Sequence, residues 1–540
     1  MTLLAAGCGT VAQQPAAAPV VTEDSFRAHL AQLASDEFEG RKPTTRGEER
    51  TIAYLSENFE HLGLKPANGT SYLQDVPLVE LTAASDASLE FDGGKSGRKA
   101  LRYGDDMVIW TKRVVQQSGI ADSPLVFVGY GIVAPEYGWN DYQGIDMRGK
   151  TAVILINDPG FATSDPKLFN GRAMTYYGRW VYKYEEAARQ GAAAAIIIHD
   201  TEPAAYPWQT VVTSWTGPQL DMQSADGNAG RVAVEGWIQK PIASALFAEA
   251  GLDLDQAMLA ARTKGFRPTP LAGLTASAQL RNAIRRANSH NVAAILPGRS
   301  RPNEYIMYMA HWDHLGRMLG GQPDTIFNGA IDNATGTAGL LAIAEALAAA
   351  GAQERSIMFV SVTAEESGLL GSAYYAANPL VPLRDTVAVF NMDAMHFGGR
   401  TRDVTVVGYG ASELDDYLKR AAVRQDRIVE PEPTPEKGFY YRSDHFNMAK
   451  KGVPALYIKL GIDDREHGRD WGREQLEKFT ATCYHQTCDN YSPDVRLDGS
   501  TEDLNLLLSI GREIANDGQY PNWRAGNEFR AIRDRSRAED

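Results

Sequence analysis

The chain predicts an α/β fold, a mostly parallel central sheet covered by helices on both faces, and three observations predict it. From about residue 275 onward, apolar β-branched runs alternate with stretches of helical periodicity, the order that sets parallel strands beneath covering helices. The 50 glycines among 540 residues, together with Ala-rich stretches, suit the corners and close packing of such a fold. A second strand, helix, strand unit with glycine at its corners lies between residues 123 and 266 and reads as an insertion.

Taken in order, the first elements are helical. Ala28, Leu30 and Leu33, then Ile52, Leu55, Phe59 and Leu62, recur at near-helical spacing until Gly63. Residues 77–115 change to short alternating runs, as in strands. In the insertion, residues 125–131 and 151–156 are strand-like by β-branched content, 184–190 a helix and 192–198 a strand again. In the last part, residues 291–296, 304–310, 356–363 and 386–392 are strand-like, whereas 336–350, 412–424 and 501–516 are helix-like. The expected division is 1–22 signal remnant and tether, 23–115 first part of the main domain, 116–270 insertion, 271–525 main domain and 526–540 tail.

Composition excludes several classes. A formal charge of -14 argues against nucleic-acid or anionic-membrane partners, which demand clustered Lys and Arg. No run reaches the roughly eighteen apolar residues of a membrane span. The start, Met1 to Gly9, resembles the end of a bacterial lipoprotein signal in which Cys8 takes a lipid, although the apolar run before it is shorter than an export signal needs. The expectation is a periplasmic, outer-membrane-attached or secreted protein, touching a membrane only through a lipid on Cys8. Of three cysteines, Cys483 and Cys488 stand five apart and read either as a small disulfide loop or as two free thiols.

Chemistry gathers in five places. His311-Trp312-Asp313-His314 follows an apolar strand, with His311 placed to ligate a metal and Asp313 to orient it. Gly329-Ala330-Ile331-Asp332-Asn333 leads into a helix, so Asp332 is either a bridging ligand or an N-cap. Glu365 and Glu366 are adjacent at a strand end, where like charges repel unless a cation or solvent relieves them. Asn391-Met392-Asp393 ends another apolar strand, and Cys483-Tyr484-His485 supplies a histidine outside any apolar pattern. Two histidines, three carboxylates and a free Glu are a donor set that zinc accepts.

With these motifs in their order, the chain resembles the co-catalytic di-zinc aminopeptidase and glutamate carboxypeptidase family over residues 291–516. The insertion resembles a protease-associated domain; its expected role is a lid that gates substrate or a passive spacer. The resemblance implies two zinc ions per chain, one on His311 and Asp393, one on Glu366 and His485, with Asp332 bridging. It implies Glu365 as general base, Asp313 as the partner of His311, and a cis peptide between Asp332 and Asn333. Residues 438–445 resemble the family's substrate loop, with Tyr440 the candidate for stabilising an oxyanion and Tyr441 the fallback. The implied activity is release of N-terminal residues from peptides with a free amino end. The alternatives are a carboxypeptidase, for which Arg442 is the one candidate to grip a terminal carboxylate, a single-zinc glutaminyl cyclase, or a non-catalytic scaffold. The cysteine pair around His485 has no counterpart in the family pattern, and the helical dimerisation domain of the glutamate carboxypeptidases has no counterpart in this sequence. Oligomeric state is not legible.

Overall fold

The computed structural model describes residues 19–318 and 325–538; the expected lipid site at Cys8 lies outside them. Among the described residues no helix is long and apolar enough to cross a membrane.

The opening helical stretch is two helices, Glu23–Leu33 and Arg46–His61. Thr22 caps the first, its side chain accepting from Ser25 N, with Glu23 and Asp24 in the first turn where the helix dipole favours acids. The break between them is steric. Gly40 has φ 65°, and a Cβ there would stand 2.4 Å from Phe327 O and 2.5 Å from Gly316 O. That turn delivers Arg41 into the interior.

Strand Arg301–His311 pairs in parallel with Arg355–Val362 on one side and Thr386–Asn391 on the other. Thr386–Asn391 continues in parallel to Ala455–Leu460. Antiparallel strands flank this parallel centre: Asp403–Val407 beyond Ala455–Leu460, and the long strand Thr269–Leu296 beyond Arg355–Val362. Side chains alternate across the sheet as strand geometry requires. Tyr308, Phe359 and Phe390 pack on one face with Leu341 and Leu347 of helix Thr335–Ala350 and Leu507 of helix Asp498–Asp517. Met307, Met309 and Met358 pack on the other face with Phe446 and Trp523. The last helix, Arg530–Ala538, lies where a tail was expected and buries Arg533.

The insertion has its own sheet. Strands Gln117–Phe127, Thr151–Leu155, Ala194–His199 and Val234–Gln239 run parallel in that order. Met107–Trp110 closes it antiparallel, and Ser88–Gly93 joins through the long strand. The expected boundary at residue 116 therefore runs through this sheet. The 28-residue strand Thr269–Leu296 ties both bodies together. Its first half pairs with Gln117–Phe127, its second with Leu73–Ala83. The insertion also lends strand Pro218–Met222 to the edge of the main sheet.

Candidate metal centre

The parallel strands end on one side of the sheet, and ligands of α/β proteins bind at such carboxyl ends. His311 is the last residue of its strand, Glu365 and Glu366 follow the strand ending at Val362, and Asp393 follows the one ending at Asn391. Asp332 comes from the turn into helix Thr335–Ala350, where the Asp332–Asn333 peptide is cis. The side chain of Asn333 holds this turn in place, donating to His311 O and Met392 O and accepting from Gly336 N. Asp489 accepts from Ile331 N and Asp332 N at 2.9 and 3.1 Å. His485 arrives from the far side, on a loop closed by the Cys483–Cys488 disulfide.

The structure brings together His311, Asp332, Glu366, Asp393 and His485, with Glu365 beside them. His311 Nε2 lies 3.5 Å from Asp332 Oδ1 and 3.6 Å from Asp393 Oδ1. His485 Nε2 lies 3.3 Å from Asp332 Oδ2 and 3.0 Å from Glu366 Oε2. Two donors on one zinc at about 2.0–2.1 Å and tetrahedral angles stand roughly 3.3–3.4 Å apart, so these separations fit donors that share a cation. His485 Nε2 is buried without a hydrogen-bond partner, as a nitrogen lone pair aimed at a metal would be. Each oxygen of Asp332 faces a different imidazole, which is how a carboxylate spans two ions.

The supporting contacts are specific. His311 Nδ1 lies 3.2 Å from the main-chain carbonyl of Asp313, while the Asp313 carboxylate, 3.7 Å from that nitrogen, accepts from Glu365 N and Glu366 N. Asp313 thus holds the Glu365–Glu366 turn as much as the imidazole. His485 Nδ1 pairs at 2.9 Å with Ser214 Oγ, a residue of the insertion. Such outer partners fix the orientation and tautomer of a ligating histidine.

Several residues at the site escape sequence reasoning, His314 and Arg41 among them. His314, three positions after His311, pairs through Nδ1 with Glu366 Oε1 at 2.5 Å. Its donor atom and those of Asp332 and Glu366 lie within 4.8 Å of one another, as do those of His311, Glu365 and Asp393. A second histidine in the same short motif was the available signal. Arg41 carries no motif; buried behind the cluster, it donates to the carbonyls of Leu33, Trp312, Asn328 and Gly329.

The electrostatics follow from crowding. Burial pushes the Glu365 carboxyl well above the usual carboxylate range, and Glu366 beside it pushes the same way. Burial disfavours a charged His485, but the Glu366 carboxylate and then Asp332 lift it to about 10. Burial alone lowers Arg41, and the charges of Asp489, Asp313 and Asp332 hold it at about 10.

Tyr440 is not brought to the cluster. Its ring packs against Gly408 and 5.0 Å from the His445 ring, and its hydroxyl is buried without a partner. The small cavity bounded by Asp332, Glu365 and Asp393 is lined instead by Tyr457 and Tyr484, with Arg442 and Lys459. Tyr441 lines the cleft that separates the insertion from the main sheet. Both tyrosines of the sequence expectation sit on a turn, Phe439–Tyr441, whose register only packing decides. Next to the small cavity, across Phe439 and Lys459, opens an apolar cleft of about 320 Å³ walled by Val407, Leu460, Ile462, Trp471 and Phe479.

Comparison with known proteins agrees with this geometry. Residues 291–507 match the profile of peptidase family M28. Aminopeptidase NAALADL1 of Mus musculus is 32% identical over 145 residues, 25% of this chain and 18% of that protein. Leucine aminopeptidase 1 of Neurospora crassa is 28% identical over 182 residues, 31% of this chain and 43% of that protein. The matched stretches thus span under half the length of either curated relative. Among solved structures, an aminopeptidase from Aneurinibacillus sp. strain AM-1 aligns over 93% of this chain and 95% of its own, with 20% identity and a TM-score of 0.53, a likeness of fold. Residues 291–507, which hold both sets of clustered donors, are thus similar to peptidase family M28.

Proposed function

We propose that this protein is a zinc-dependent aminopeptidase that removes N-terminal residues from peptides. The observation that carries the reading is Asp332, whose two oxygens stand 3.5 and 3.3 Å from the Nε2 atoms of two different histidines. His311 and Asp393 would hold one zinc, Glu366 and His485 the other, and Asp332 both. A bound zinc pair supplies Lewis acidity and makes water a nucleophile near neutral pH.

The chain's own groups do the rest. Glu365 takes a proton from the attacking water and returns it to the leaving amine. Burial, with Glu366 beside it, raises the affinity of the carboxylate for that proton, which favours taking it from water. Tyr484, which accepts from Arg442 Nη2 at 3.0 Å, stays protonated because burial pushes its phenol up. Its hydroxyl donates to the oxygen on which charge develops. The carboxylates of Glu365 and Asp393 attract the substrate's terminal ammonium, and the apolar cleft beyond Phe439 takes the first side chain. The aminopeptidases among its relatives support the same reading. The Cys483–Cys488 disulfide supports an oxidising compartment, periplasmic or extracellular.

The test is zinc content measured alongside hydrolysis of aminoacyl-nitroanilides, wild type against Glu365→Gln. About two zinc ions in both proteins and a loss of roughly 10³-fold in kcat in the variant are expected. A protein that binds no zinc, or a Gln variant as active as wild type, refutes the reading.

A further inference from the structure

Between the insertion and the main sheet lies a cleft of about 290 Å³ that opens directly on Glu365, Glu366 and His485. Two guanidinium groups line it. Arg179 comes from the insertion, at the start of helix Trp180–Arg189, and Arg442 from the turn ahead of helix His445–Ala449. Arg442, Tyr484 and Glu365 also line the small cavity that holds Asp332 and Asp393, so the cleft is continuous with the candidate metal centre.

Several buried arginines elsewhere in the chain have acids or carbonyls as partners. Arg41 donates to four carbonyls, Arg427 pairs with Asp503 at 2.7 Å, and Arg355 with Glu304 at 2.6 Å. Arg179 differs: among the described residues its side chain makes no ion pair and no hydrogen bond, and its guanidinium stands over the Trp180 ring, 5.8 Å from the centroid. Burial, and then the charge of Arg442, pull it down to about 10, so the two cations disfavour each other. Arg442 is held by Tyr484 Oη and the faces of Tyr206 and Phe439. The one other acid on the cleft, Glu185, is engaged by Tyr176 and Arg189. Tyr484, Tyr206 and the Glu365 charge support the Arg442 cation, so Arg179 is the one of the two without an acid, and a sheltered cation costs stability unless an anion completes it.

We propose that Arg179 and Arg442 form a subsite for the carboxylate that follows the scissile bond, the C-terminus of a dipeptide. This rests on the aminopeptidase reading. The apolar cleft takes the first side chain beyond Phe439 and Lys459, so the leaving residue runs into the second cleft, which Arg179 and Arg442 both line. A planar guanidinium matches a carboxylate in charge and geometry. The insertion then selects substrate length, because a longer peptide carries its C-terminus past the pair.

The test compares kcat/KM of the zinc enzyme on Leu-Ala, Leu-Ala amide and Leu-Glu amide. Wild type should prefer the free acid over Leu-Ala amide by about ten- to a hundredfold. That ratio should fall towards one in Arg179→Gln and partly return in Arg179→Lys. Equal rates on acid and amide in wild type overturn the proposal. Leu-Glu amide cleaved as well as Leu-Ala makes a side chain the anion source and overturns the dipeptide assignment. Calorimetric titration of the reduced-bond Leu-Ala isostere and its amide separates the two readings without turnover. Tighter binding of the acid in a protein that hydrolyses nothing keeps the subsite and fails the aminopeptidase. Hydrolysis of leucine nitroanilide with no preference for acid in either assay does the reverse.

Discussion

Two buried clusters of ionisable groups, one in each sheet, are built on opposite principles. In the insertion, Lys183 donates to Tyr130 O and Asn157 O at 2.7 and 2.8 Å. Asp158 accepts from Gly160 N, Phe161 N, Thr175 N and Thr175 Oγ1, and Asp141 from Ile132 N and Trp139 Nε1. Donors and acceptors are matched, and the group serves the architecture. In the main domain, Asp332, Glu365, Glu366 and Asp393 converge on three imidazoles, those of His311, His314 and His485, and His485 Nε2 is left without a hydrogen bond. Carboxylates crowded on each other require a cation. The difference teaches that burial of charge alone does not mark a functional site; mismatched donors and acceptors do.

Three changes break or sharpen that contrast. The largest effect is expected at Lys183→Met, which strands two carbonyls and leaves Asp158 without its cation. A loss of about 3 kcal/mol in unfolding free energy, with zinc content unchanged, is expected from denaturant melts with metal analysis. Zinc lost together with stability would show that the insertion's cluster and the metal centre are one unit. Ser214→Ala comes next. It frees His485 Nδ1 while replacing none of the candidate ligands, so zinc affinity should fall about 10- to 100-fold in chelator competition with little change in melting of the chelated protein. Unchanged affinity would mean that the disulfide-closed loop orients His485 unaided. The smallest effect is a pH dependence at Glu432, on the wall of the apolar cleft. Burial raises its carboxyl to about 7, so it is neutral below that pH and charged above it. KM for leucine substrates should rise severalfold from pH 6 to pH 8 in wild type and stay flat in Glu432→Gln. A wild-type KM independent of pH would place Glu432 away from the first side chain.

Much of this is legible in the chain itself, for physical reasons. The parallel centre follows from apolar runs in 304–310, 356–363 and 386–392 that alternate with helical periods, because a strand buried on both faces has to be apolar throughout. His311, the Glu365–Glu366 pair and Asp393 announce themselves as polar residues at the ends of such runs, where the backbone leaves the core. Tertiary structure decides what depends on distant segments meeting. The tyrosine beside the cavity is one case: the sequence singled out Tyr440 with Tyr441 behind it, and packing sets Tyr484 on the cavity lining and Tyr440 against Gly408. Ser214 and Arg179 lie in a segment without chemical motifs and reach the site only because the long strand Thr269–Leu296 folds the insertion over the sheet ends. The sequence by itself determined the sheet and the residues at its strand ends, since those are written in local periodicity. What stands around them, which tyrosine, which serine and which arginines, was decided by contacts between residues hundreds of positions apart, and no local pattern encodes those.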